Sequence, residues 1–263
     1  IISMVLSIIF GNMIGNLLNK AKGKEMITSM VIGFLGANLY QLVFMVGYGT
    51  LIKPFNNDIL LTRGIGVKSM LDIGEHKNLF KNMLLIKLGD KMVSLAPVII
   101  IILLAIMVDL ITKSKVGYHM NATGENIYLA EKVGVDVNKT RKIAIILSTS
   151  LASIAQILFI QNLGVLNVYT GYLNLDVFTA AALLAGGATF KKASIKNVFI
   201  GVVLFHILFT VSPLAGQNIF KNPALGEYFR SFIAYGTIVF ALMMNLKKRS
   251  YNGSWKYFQM YGE

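Results

Sequence analysis

Charge is scarce in this sequence. Of 263 residues only 14% are Asp, Glu, Lys or Arg, against about 25% in an ordinary soluble domain. Cysteine is absent, which excludes disulfides and leaves the redox compartment unreadable. Histidine occurs only as His76, His119 and His206, too scattered to suggest a metal site. No Gly-x4-Gly-Lys-Ser/Thr loop occurs. The Gly-Lys pair at Gly23-Lys24 runs on into Glu25, so the chain does not bind ATP in that way by itself. No cluster of nucleophile, base and metal ligands supports a membrane-embedded enzyme. The chain is therefore expected to hold no catalytic residue, metal or cofactor of its own.

Acidic residues are scarcer still, 12 against 25 basic ones, for a net charge of +13. Clustered Lys and Arg are the footprint of a nucleic-acid binder. Here they sit in short segments between apolar runs, where they set membrane topology instead. No nucleic-acid partner is expected.

What the chain has in abundance is apolar sequence, 55% of residues, with a mean hydropathy of +0.65. The apolar residues come in blocks approaching the roughly 20 residues a helix needs to cross a bilayer. These blocks are continuous rather than alternating, which points to helices and away from a barrel. The expected fold is an all-α polytopic membrane protein with about seven spans, near 1–18, 26–48, 92–112, 143–160, 177–190, 198–213 and 229–246. The run Val98–Val108 is the least ambiguous, with Pro97 at its start, where a missing N–H costs little. Residue 1 is Ile inside an apolar run, without a basic leader or cleavage site, so it does not begin a signal peptide. Further spans ahead of it are expected.

The run 177–190 is short, and reads either as re-entrant or as a span extended back through Leu173 and Leu175 with Asp176 at the interface. Charge favours a span. Lys191, Lys192 and Lys196 then share a side with Lys247, Lys248, Arg249 and Lys256, with Lys20, Lys22 and Lys24, and with Lys113, Lys115, Lys132, Lys139, Arg141 and Lys142. The opposite short loops hold Lys221 and Arg230, so the first side is cytoplasmic. Residues 113–142 and the C-terminus fall there, on the cytoplasmic side. The stretch 49–91 lies outside with seven basic residues, and long loops obey the charge rule poorly. Within it Leu79, Phe80, Met83, Leu84 and Leu88 recur at helical spacing, with Lys77, Lys81 and Lys87 on other faces. This predicts an amphipathic helix at the outer interface. It reads as a packed loop helix, or as part of an outer gate or docking surface.

Residues 113–142 separate two apolar blocks. Within them, Thr123 or Asn121 is placed to cap a helix whose first turn holds Glu125. Lys132 falls in the last turn and Gly134 supplies the left-handed stop. Ile127, Leu129, Ala130 and Val133 give a short apolar stripe, and Asp136 or Asn138 starts the next helix. Such a helix needs something to pack against, either its own bundle or a cytosolic partner.

The run Gly124-Glu125-Asn126, with Ala130 and then Gly134-Val135, followed by Arg141, Ala144 and Leu147-Ser148, resembles permease subunits of binding-protein-dependent ABC importers. The nearest class carries ribose, galactose, related simple sugars and nucleosides. The likeness continues through Ala180–Ala188, a small-residue span ending in Gly186-Gly187. It runs over 92–246 and more faintly over 1–48. It departs at Tyr128, where the family more often has a small or charged residue, and after Gly187, where Phe190-Lys191-Lys192 replaces further glycines. The resemblance implies a single transmembrane permease domain over 1–263, with a coupling loop at 113–142 and an outer loop at 49–91. It implies that Gly124, Glu125, Asn126, Ile127, Leu129, Ala130, Val133 and Gly134 dock in a groove of a cytosolic ATPase, on which ATP is hydrolysed. It further implies an extracytoplasmic solute-binding protein and a second permease subunit, identical or similar.

Polar residues inside apolar runs mark a pathway or join helices. Asn38 and Gln41 lie three apart on one face, Gln156 follows Ser148, Ser150 and Ser153, and His206 sits mid-run. Gly11 with Gly15, Gly33 with Gly36, and Gly186 with Gly187 allow close helix approach. The expected function is import of a simple sugar, with nucleosides as the alternative cargo of the same machine. An ion- or proton-coupled secondary transporter using His206 and Asp109 is the alternative of another class.

Overall fold

The computed structural model describes residues 2–44, 70–72, 83–88, 91–167, 175–189, 193–222, 224–226, 228–240 and 243. The chain forms two compact units, 1–171 and 172–263.

In the first unit, α1 (Ile2–Lys20) and α2 (Glu25–Leu42) are joined by a turn through Gly23. Strands β1 (Met70–Asp72), β2 (Leu85–Leu88) and β3 (Lys91–Ser94) precede α3 (Ala96–Thr112), α4 (Lys115–Glu125), α5 (Ile127–Lys132), α6 (Val137–Leu163) and β4 (Val165–Asn167). The second unit holds α7 (Leu175–Ala185), α8 (Ile195–Phe220) and helical residues 228–240. Each of the seven segments expected to span contains a helix. By length and composition α1, α6 and α8 can each cross a membrane, and α3 with α4 makes a fourth if that bent pair is one span. The 11 residues of α7 rise about 16 Å, short of a hydrocarbon core of about 30 Å. The helix starts at Leu175 with Asp176 in its first turn; Leu173, through which the extended span was expected to run, lies outside the described residues.

Burial runs opposite to that of a water-soluble protein. Large apolar side chains face outward (Phe10 52%, Leu103 59% and Val203 58% exposed), while the fully buried apolar residues are mostly alanines, among them Ala96, Ala130, Ala181, Ala182 and Ala234. Lipid is as apolar as leucine, so nothing drives leucines inward, and small residues at contacts let backbones approach instead.

The α1–α6 contact shows this rule at work. Ser3, Ser7, Gly11, Gly15 and Asn19 recur every four residues and so share one face of α1. Each meets α6: Ser3 bonds Ser153, the Ser7 carbonyl accepts from Thr149, and the Asn19 amide donates to the Asn138 carbonyl at 2.8 Å. A Cβ on Gly11 would collide with the Thr149 hydroxyl and Ile146, and one on Gly15 would press on Lys142. The partners descend from 153 to 138 as α1 ascends, so the helices run antiparallel. Gly33 and Gly36 have no such neighbour among the described residues.

The α3–α4 break bends by 71°. A Cβ on Gly117 would strike the Thr112 carbonyl, so the bend requires glycine there. In the second unit, α7 crosses α8 at Gly186 and Gly201, each backbone lying against the other helix. Asn197 serves both elements, donating to the Gly186 carbonyl at 2.7 Å and closing a capping box with Ser194. Ala181, Ala182, Phe205 and Ala234 form the core there, lined by Phe178, Phe209 and Ile238.

The amphipathic helix expected around Leu79–Leu88 is corrected where the structure describes it. Residues 85–88 are a strand paired antiparallel with 91–94, Leu88 opposite Lys91. Residues 77–82 lie outside the described residues. The overlooked signal is Gly89-Asp90, a two-residue Gly-x connection that favours a hairpin between two apolar runs. β1 pairs with β4, Met70 opposite Asn167, which ties the 49–91 stretch to the end of α6. The all-α class stands, with these short strands added outside the helices.

Candidate coupling site

The site is built on α4, α5 and α6. The six residues of α5 are too few for a helix to hold by propensity, and both ends are secured. Asn126 is the N-cap, its side-chain oxygen accepting from the Leu129 N–H at 3.1 Å. This corrects the expectation of a cap at Thr123 or Asn121. Both residues lie within α4, where the Thr123 hydroxyl donates to the His119 carbonyl. Glu125 likewise ends α4 instead of opening α5. The physical reason is that the Asn126 backbone is extended, which breaks the helix there and frees an Asx side chain to cap α5.

The C-terminal reading holds. Gly134 has φ +85°. Its N–H bonds the Glu131 carbonyl, and the Val135 N–H bonds that of Ala130, the paired closure of a Schellman stop. Lys132 lies in the last turn with its ammonium 5.3 Å from the Tyr128 ring centre. Asp136 then caps α6, accepting from the Lys139 N–H at 2.9 Å. Two residues separate this cap from Val133, so α5 and α6 are linked through a short, fully specified turn.

The eight expected coupling residues fall into different places. Gly124, Glu125, Asn126 and Ile127 line an open cleft of about 610 Å³ together with Thr140, Arg141 and Ala144. Ala130 is buried, whereas Leu129 and Val133 project outward at 58% and 76% exposure. A Cβ on Gly134 would meet no described atom, so the glycine serves the backbone turn. Arg141 donates from Nη2 to the Glu25 carboxylate at 2.8 Å, joining α6 to the first residue of α2. The Glu25 carboxyl, at the edge of α2 ahead of its apolar run, is held below its ordinary value by the backbone N–H at its own position and then by Arg141.

The four polar pathway candidates are not brought together by any described contact. The Asn38 amide bonds the Phe34 carbonyl of its own helix at 2.7 Å. Gln41 and Gln156 are half-buried. His206 is exposed, and its carbonyl accepts from Thr210. Ser153 belongs to the α1 seam instead, beside Thr149, and Asp109 pairs with Lys113 one turn on. Among the described residues no group of His, Cys, Asp or Glu is arranged to hold a metal.

Long apolar helices packed through glycine, alanine and serine, with apolar side chains outward, define a multi-pass helical membrane protein. A family model described as the permease component of the branched-chain amino acid transport system matches residues 1–245. The chain belongs to this family of ABC transporter permeases. No curated protein and no solved structure matches it significantly.

Proposed function

We propose that this chain is the membrane-embedded permease of an ATP-driven importer for a simple sugar, with α4–α5–α6 as the element that docks on a cytosolic ATPase. The observation that carries the reading is α5 itself, a six-residue helix with both ends capped. Its Leu129 and Val133 project away from the site while Ala130 packs beneath them. Such a helix presents a fixed apolar surface, and its rigid turn into α6 would pass a partner's motion to a span. Closure of two ATPase subunits would then switch the permease between inward and outward states by rigid-body movement. ATP is bound on the partner, and the permease works in a pair with itself or a similar chain.

In this reading 113–142 and the C-terminus face the cytoplasm of a bacterial cell, and a solute-binding protein delivers cargo from outside. Sequence resemblance favours simple sugars, with nucleosides next. The family description favours branched-chain amino acids as a third class to test. Asn38, Gln41, Gln156 and His206 are the side chains assigned to the solute pathway.

The test is to purify the full-length protein in mild detergent with a C-terminal tag and identify what accompanies it. A stoichiometric soluble ATPase, lost on altering 124–134, is the expected result. Reconstitution with that ATPase and the binding protein, against ribose, galactose, a nucleoside and leucine, then ranks the cargo. A protein that emerges alone and transports under an ion gradient would sink the reading in favour of a secondary transporter.

A further inference from the structure

α1 and α2 are held to the coupling element in different ways. α1 is locked to α6 along its whole length by the four-residue stripe of Ser3, Ser7, Gly11, Gly15 and Asn19. α2 buries no residue fully, and no side chain caps its start at Lys24. What reaches its first residue from elsewhere is Arg141. The Arg141–Glu25 contact is half-buried, at 21% and 35% side-chain exposure, so it is shielded in part from solvent and salt. It is also the ion pair that joins two different helices among the described residues, since Lys113–Asp109 lies within one stretch of chain. The same Arg141 lines the cleft beside Asn126 and Ile127. One guanidinium therefore touches both the space under the coupling helix and the entry of α2.

We propose that Arg141 and Glu25 form a strut that carries movement of α4–α5 and the first turn of α6 into α2, making Glu25 a positioning residue of the transport cycle. The inference rests on the coupling reading above. Geometry supports a strut over a surface pair. The carboxylate lies at the N-terminal end of α2, where the helix dipole favours it, and its partner stands in the second turn of α6, just beyond the turn that Asp136 caps. A shift of α5 that drags the α6 terminus must either pull α2 with it or break a charge-assisted bond. α2 carries Asn38 and Gln41, so the strut gives the coupling element a route to that helix separate from the α1–α6 seam.

The experiment uses the reconstituted complex of permease, ATPase and binding protein, with Glu25→Gln, Arg141→Gln, the double variant, and the exchange Glu25→Arg with Arg141→Glu. For Glu25→Gln the ATPase should still co-purify at wild-type stoichiometry. Maximal uptake should fall about fivefold or more, the scale of an ordinary coupling free energy, with KM unchanged. The double variant should be no slower than Arg141→Gln alone, and the exchange should recover uptake relative to either single change. Unchanged uptake in Glu25→Gln, or losses that simply add in the double variant, would overturn the strut while leaving the ATPase bound. A wild-type protein that binds no ATPase would instead remove the coupling reading on which the strut rests.

Discussion

Gly11 is required for a reason local to a few atoms. Any side chain at Gly11 occupies the position of the Thr149 hydroxyl and the Ile146 backbone. Gly11→Val should therefore part α1 from α6, lowering stability by about 1–3 kcal/mol as overpacking usually does. A fall in the thermal midpoint of the detergent-solubilised protein checks it, with Gly33→Val, at a position open on all described sides, as the unaffected control. Glu25 offers a test of a different kind. Its folded pKa is lowered, so its contribution is present above the unfolded value and is lost as pH falls through the lowered one. The difference in thermal midpoint between wild type and Glu25→Gln should be full at neutral pH and vanish only in acid below the usual carboxylate range. A difference that disappears near pH 6 would mean that the pair does not hold.

At the scale of the element, α5 depends on its caps. Replacing Asn126 by Ala removes the bond to the Leu129 N–H, at a cost of about 1 kcal/mol. Gly134→Ala forces a Cβ into the left-handed region, costing about 1–2 kcal/mol. Neither change touches the membrane-facing helices, so insertion should survive while solute-stimulated ATP hydrolysis falls. Gly134→Pro should abolish stimulation outright, because proline cannot adopt φ +85° and lacks the N–H that bonds Glu131. Hydrolysis measured with and without solute and binding protein decides it, and undiminished stimulation in Gly134→Pro would refute the docking role of α5. The C-terminal half of this element was legible from local sequence, since Lys132, Gly134 and Asp136 act within one turn of themselves. The N-terminal half was misplaced because Asn121, Thr123 and Asn126 are all competent caps. Only the extended backbone at Asn126 selects among them.

For the whole molecule, orientation is the first quantity to measure. The natural absence of cysteine makes single introduced thiols clean reporters. A cysteine at Leu129 should react with a membrane-impermeant maleimide only after the cytoplasmic face is opened, and one at Lys221 should react from outside. Reversed labelling would invert the topology and place α5 on the wrong side for a cytosolic ATPase. The helical segments were readable as a set because bilayer thickness imposes a length and lipid imposes apolarity, both visible in one dimension. The hairpin at 85–94 was missed because helical and strand periods are hard to separate over four or five apolar residues.

The sequence by itself determined the class of molecule, its helical segments, and the C-terminal stop of the short element between α4 and α6. Each follows from composition or from residues within a few positions of one another. The tertiary structure alone decided which polar groups work together. Ser153 and Thr149 went to the α1 seam, Asn38 turned back on its own helix, and Glu25 met Arg141 across 116 residues of chain. A side-chain pair that distant carries no local signature, because its free energy depends on where two helices stop, and that is set by packing. The four-residue spacing from Ser3 to Asn19 shows the border between the two. The stripe was written in the sequence, but only the presence of α6 against it gave the stripe a meaning.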